Sequence, residues 1–154
     1  MTPRPTSASV TEMTEYVLPQ HANALGTVFG GQIMAWVDLC GAICAQRHSG
    51  LFAVTAFVDD LKFEAPIKIG EVAHLRAQVT ATFRTSMEIQ VDVEGEDART
   101  GKKWPCVSAF LTFVAVEPAT NKPVPVPPLL LDTADARAAQ AAGEKRREER
   151  LKKA

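Results

Sequence analysis

An α+β fold, an antiparallel sheet curled around one long buried helix, is the architecture this sequence predicts, and three observations carry it. The stretch of residues 30–45 is apolar almost throughout, as a helix buried on all sides must be. Four strand-like segments follow it with no helix between them to cross over from one parallel strand to the next. Two of these, residues 73–83 and 87–93, alternate apolar and polar side chains, the period of a half-buried antiparallel strand.

The elements read in order as follows. Residues 1–9 are rich in Pro, Ser and Thr and are expected to be poorly ordered, while residues 11–18 form a first strand ended by Pro19. A loop from His21 to Gly31 leads into the helix and carries three glycines and Asn23. Phe52–Phe63 reads as a strand stopped by Pro66 and Gly70. Arg84, Thr85 and Ser86 form the tight link of a hairpin, and Thr100 and Gly101 turn the chain into residues 107–116, whose near-continuous apolar run suits a central strand. Pro123, Pro125, Pro127 and Pro128 then interrupt regular structure.

From Asp132 the chain is Ala-rich, then charged, and reads as helical. It has few large apolar residues, so weak packing is expected, with Glu148–Lys152 and Glu149–Lys153 pairs adding a few tenths of a kcal/mol each (roughly). The organisation expected is one domain over residues 1–128 and a charged helical or disordered tail over residues 129–154.

Composition narrows the function classes. At 154 residues with 46% apolar content the chain can bury one real core. A net charge of -1 shows no overall bias toward nucleic acid or an anionic membrane surface. The final residues from Glu144 carry six Lys or Arg against three Glu, but without interleaved aromatics this reads as a solvated helix. Three cysteines, an odd number, and the lack of a secretory pattern lead to the expectation of a reduced, cytoplasmic protein. The apolar run is shorter than the roughly 20 residues a membrane span needs, so no membrane partner is expected.

Asp38, in the middle of the apolar helix, is the first candidate for chemistry. A carboxylate there costs several kcal/mol (roughly) unless partners or function compensate, so it is either a structural hydrogen-bond acceptor or a base or nucleophile. Gly30 and Gly31 lie where the helix begins, and free amides with no Cβ in the way make a cradle for a developing oxyanion; two glycines also simply permit close strand approach. Asp38 lies seven residues beyond Gly31, about 10 Å along the axis, so one helix cannot bring both to the same carbonyl. A site using both needs a second subunit. Asn23 is a turn former or a polar partner. Cys40 and Cys44 suit small buried hydrophobes, and His21, His48 and His74 have no ligand spacing, so no metal is expected. No Gly-x-Ser-x-Gly, Walker A or Gly-x-Gly-x-x-Gly pattern occurs.

Taken together, His21-Ala-Asn23-Ala-Leu-Gly26-Thr-Val-Phe-Gly30-Gly31-Gln-Ile-Met34-Ala-Trp-Val-Asp38 resembles the signature of the hot-dog-fold acyl-coenzyme A thioesterases, in the cytosolic acyl-CoA hydrolase subgroup. The likeness continues through Val54-Thr55-Ala56, Phe63-Glu-Ala-Pro66-Ile-x-x-Gly70, Arg84-Thr85-Ser86-Met87 and Phe110-x-Thr112-Phe113-Val114-Ala115-Val116. The resemblance implies a hot-dog fold, dimers that share a sheet and often a trimer of such dimers. It further implies hydrolysis of acyl-CoA to fatty acid and CoA, with Asp38 as the carboxylate, Asn23 as polar partner at the thioester, and Gly30 and Gly31 as oxyanion donors. Arg84, Thr85 and Ser86, with Thr55, become the substrate-binding set. No metal or redox cofactor is required. A non-catalytic acyl-CoA sensor on the same fold is the alternative, and it is expected to lack the Asn23 and Asp38 pair.

Overall fold

The computed structural model describes residues 1–153. Five strands, β1 (Thr11–Tyr16), β2 (Phe52–Phe63), β3 (Val72–Thr82), β4 (Ser86–Asp97) and β5 (Lys102–Val116), form one antiparallel sheet in the order β1-β3-β4-β5-β2. The helix α1 (Gly30–Ser49) lies on the inner face and α2 (Ala134–Lys152) on the outer one. The β4–β5 hairpin runs beyond the alternating stretch, pairing to Asp97 with Lys102. The alternation ends early because Gly95 makes room for the Trp104 ring, where a Cβ would sit 2.4 Å from the indole.

The core is the seam between α1 and the inner face. Ile33, Trp36, Val37, Cys40, Cys44 and Ala45 meet Leu75, Val79, Met87, Ile89, Val91, Leu111 and Phe113. Gly41 sets how closely helix and sheet approach: a Cβ there would lie 2.9 Å from the Phe113 ring. The helix is not buried on all sides, as its composition suggested. Ala35, Leu39 and Ile43 face outward, Leu39 at 55% exposure, and Asp38 at their side is half-buried. The apolar composition of that face belongs to a surface this single chain leaves uncovered.

The C-terminal segment departs furthest from expectation. Its hold on the sheet is polar rather than apolar. Buried Gly143 presses against Ala81 and Glu88. Arg146 donates from Nε and Nη2 to the two carboxylate oxygens of Glu88 at 2.9 and 2.8 Å and lies 3.7 Å above the Phe110 ring. Gln140 bonds both the N–H and the carbonyl of Thr82. Arg150 donates to Asp59 at 2.7 Å. Neither the Glu148–Lys152 nor the Glu149–Lys153 pair forms among the described residues. A break in register between Val79 and Ala81 explains why apolar residues continue along β3: it turns Ala81 outward, under Gly143.

The first nine residues are also tied down. Arg4 pairs with Leu129 and donates to the carbonyls of Arg47 and His48, the unsatisfied C-terminal end of α1, and Ser9 is buried. Cys40, Cys44 and Cys106 are all free and buried. Among the described residues no helix is long and apolar enough to cross a membrane.

Candidate active site

Asp38 accepts a hydrogen bond from the Thr55 hydroxyl at 2.5 Å. Two features create this contact. The connection through Gly50, at φ 69°, reverses the chain so that β2 runs back alongside α1. An irregularity in β2 then sets the facing: Thr55 pairs with Phe113 and Phe57 with Thr112, leaving Ala56 without an opposite residue. Thr55 therefore shares the inner face with Phe113, and both members of the pair remain accessible.

Gly30 and Gly31 open α1. Their N-cap is Phe29, whose side chain accepts no hydrogen bond and whose carbonyl takes the Gln32 and Ile33 amides, so the cap leaves the Gly30 and Gly31 amides uncovered, and both glycines are exposed. An apolar cavity of about 360 Å³ begins at Gly30 and is lined by Ile33, Phe63, Pro66 and Cys106. Burial pushes the Cys106 thiol up to about 11, with Glu64 adding to the shift, so this cysteine is held as a neutral thiol.

Asn23 builds its own loop. Its Oδ1 accepts from the N–H of Leu25 at 2.9 Å and of Thr27 at 3.2 Å, and its Nδ2 donates to the Thr27 hydroxyl at 3.0 Å. The turn-forming role left open by the sequence is thus realised, and one N–H of the amide still points free. His21 is absorbed in the same region, its Nδ1 accepting from the Leu18 N–H and its ring edge-on to Trp36.

The predicted residues fall into three groups along the sheet. Asn23, Gly30 and Gly31 stand at the end of the sheet where Phe63 closes on Gly30. Asp38 lies mid-helix, with Thr55 of β2 against it. Arg84, Thr85 and Ser86 lie at the opposite end, where Phe52 pairs with Val116 and the Thr85 carbonyl accepts from Ala115. One chain brings Thr55 to Asp38 and does not bring the glycine amides or the Arg84 turn to them. The Asp38–Thr55 bond itself was not read from sequence; the only trace of the irregularity that makes it is the loss of alternation across residues 52–58.

A curled five-stranded antiparallel sheet around a central helix, with a helix carboxylate bonded to a hydroxyl of the neighbouring strand, defines the hot-dog thioesterase class. The thioesterase superfamily model matches residues 25–102, and the chain belongs to that superfamily. It is similar to the acetyl-coenzyme A thioesterase of Rattus norvegicus, 39% identical over 140 residues, which cover 90% of this chain and 25% of that protein. The chain thus spans about a quarter of the length of the acetyl-coenzyme A thioesterases it matches. A solved apo-hexameric acyl-CoA thioesterase superimposes with TM-score 0.93 at 35% identity, covering 99% of this chain and 97% of that one. Acyl-CoA hydrolase from Staphylococcus aureus, solved with butyryl coenzyme A, coenzyme A and coenzyme A disulfide, superimposes with TM-score 0.87 at 31% identity over 97% of this chain and 91% of that one. That enzyme has also been solved with an aspartate, an asparagine or a threonine replaced singly by alanine.

Proposed function

We propose that the chain hydrolyses acyl-CoA thioesters to a carboxylic acid and free CoA, at a site completed by a second copy of the chain. The observation that carries this reading is the Thr55-bound, accessible carboxylate of Asp38 in the middle of an otherwise apolar helix face. Asp38 accepts the proton of an attacking water, or its oxygen attacks the carbonyl carbon to give an anhydride that water then opens. Either way the C–S bond breaks and the CoA sulfur leaves as thiolate or thiol. The oxyanion is held by amides at the start of α1, Gly30 and Gly31, with the free N–H of Asn23 beside the thioester. Because those groups lie about 10 Å along the helix from Asp38, they act on a carbonyl held against the other copy's Asp38. Arg84, Thr85 and Ser86 meet the CoA nucleotide. Residues 1–128 form the catalytic domain, and a cytoplasmic setting suits its three free thiols.

Two observations support the assignment. The asparagine, aspartate and threonine replaced in the Staphylococcus aureus hydrolase are separated by the same sequence intervals as Asn23, Asp38 and Thr55. The uncovered row Ala35, Leu39 and Ile43, together with the exposed edge strand residues Val54, Val58 and Phe63, is a surface suited to a symmetric partner. The structures of related proteins include a hexamer, which a trimer of such dimers would form.

The test is thiol release from acyl-CoAs of several chain lengths. Asp38→Asn should lower turnover by at least about a hundredfold, the lower end of general-base contributions, while calorimetric affinity for a CoA analogue survives. Asn23→Ala should lower it less. Wild-type turnover in Asp38→Asn would make the carboxylate structural and leave acyl-CoA binding without catalysis.

A further inference from the structure

We propose that Arg150, on the far side of the sheet, is a positioning residue for the reaction: it pins the β2 segment that aims Thr55 at Asp38. The inference rests on the reading of Asp38 above. In a regular strand Thr55 and Phe57 would share a face. Here they point to opposite faces, Thr55 to Asp38 and Phe57 to α2, because Ala56 is squeezed out of register between them. A second irregularity follows between Asp59 and Lys62, where Asp60 adopts φ 52°, a left-handed conformation costly for a residue with a Cβ. The intervening segment, Phe57 to Asp59, is thus bounded by two distortions. It also belongs to an edge strand, with β5 as its only strand neighbour among the described residues.

Both outward side chains of that segment are held by one group. The Arg150 guanidinium donates from Nη1 to Asp59 Oδ2 at 2.7 Å and lies 4.8 Å above the Phe57 ring. Its side chain is 11% exposed and that of Asp59 28%, so this ion pair is partly sheltered from the solvent that weakens most surface pairs. Without it, the segment loses the anchor on its outer face, and relaxation of Ala56 back into register would rotate Thr55 away from the helix. The hydroxyl bond to Asp38 is the contact that would be lost. The C-terminal helix therefore acts on the site through the sheet, without touching substrate.

The experiment is a double-mutant cycle on steady-state thiol release with the full chain, rates being normalised to folded protein. Arg150→Ala is expected to lower kcat about tenfold, in line with the effect of a displaced catalytic contact, and to leave KM within about twofold. In a Thr55→Ala background the same substitution should change kcat by less than about twofold, because the contact it protects is already gone. Arg150→Lys, which keeps a cation opposite Asp59, should restore most of the rate. Asp59→Asn breaks the same contact from the sheet side and serves if Arg150→Ala does not fold. An unchanged kcat, or losses that multiply in the double variant, overturns the proposal. If Thr55→Ala and Asp38→Asn cost nothing, the reading of the site fails instead; if they lower turnover and Arg150→Ala leaves kcat unchanged, only this inference fails.

Discussion

Replacing Arg146 by alanine should destabilise the protein by about 3 kcal/mol, although the residue lies in a segment whose composition offers almost no apolar anchor. Glu88 is 2% exposed on the outer face of β4 and receives three hydrogen bonds: two from Arg146, at 2.9 and 2.8 Å, and one from the Thr80 hydroxyl at 2.6 Å. The hydrogen bonds from Arg146 to Glu88 push the Arg146 pKa further up, so the guanidinium stays charged across the accessible pH range. Removing it leaves a buried carboxylate with one donor, and breaking a buried pair from one side costs about 3–5 kcal/mol. The low end applies because Arg146 is 24% exposed and water can enter beside Gly143 when the guanidinium is gone. That figure of about 3 kcal/mol already includes about 0.5–1 kcal/mol from loss of the cation on the Phe110 face. At about 2–4 °C per kcal/mol for a domain of this size, the midpoint should fall by about 6–12 °C. Scanning calorimetry at neutral pH measures it. The control is Arg146→Met combined with Glu88→Met, which removes both charges and fills the space, and which should lie within about 1 kcal/mol of the parent. A midpoint for Arg146→Ala within 1–2 °C of the parent (roughly) would refute the claim that this pair seats α2.

The remaining predictions concern the helix core, a buried histidine and assembly. Gly41→Val should cost about 1–3 kcal/mol in chemical denaturation, because its Cβ would lie 2.9 Å from the Phe113 ring and α1 would have to lift; a stabilised variant would show that the seam has slack. Burial holds His48 below its ordinary range, opposed by its bond from Nε2 to the Pro127 carbonyl and reinforced by Arg4, while Nδ1 has no partner. The native state therefore keeps His48 neutral while the unfolded chain takes up a proton below about pH 6.5. Its contribution is complete above that pH and declines as pH falls toward the depressed native value, so urea midpoints should drop between pH 7.5 and 5.5 (about) more steeply in the parent than in His48→Gln. Equal slopes would contradict this. Light scattering coupled to size exclusion should find a dimer or a trimer of dimers, and a fully active monomer would remove the need for a shared site.

What the residues by themselves determined was the inner half of the molecule. The apolar run of α1, the alternation of β3 and β4 and the apolar stretch of β5 specify a helix on a sheet because burial on one face writes a period into the chain. The same reading located Asp38, since a carboxylate in such a run is conspicuous at any resolution, and it showed by helix rise that Gly31 stands too far away to share a carbonyl with it. Tertiary structure decided the rest. The breaks in register at Ala56 and between Val79 and Ala81 shift facing by one residue, which no period announces in advance, and they are what turn Thr55 toward Asp38 and Ala81 toward α2. The seating of α2 was equally illegible, because it is made by a glycine pressed on Ala81 and Glu88 and by an amide and two arginines bonded to partners 58 to 91 residues away. Apolar burial is a property of composition and can be counted along a chain, whereas an ion pair exists only where two particular side chains have already been brought together.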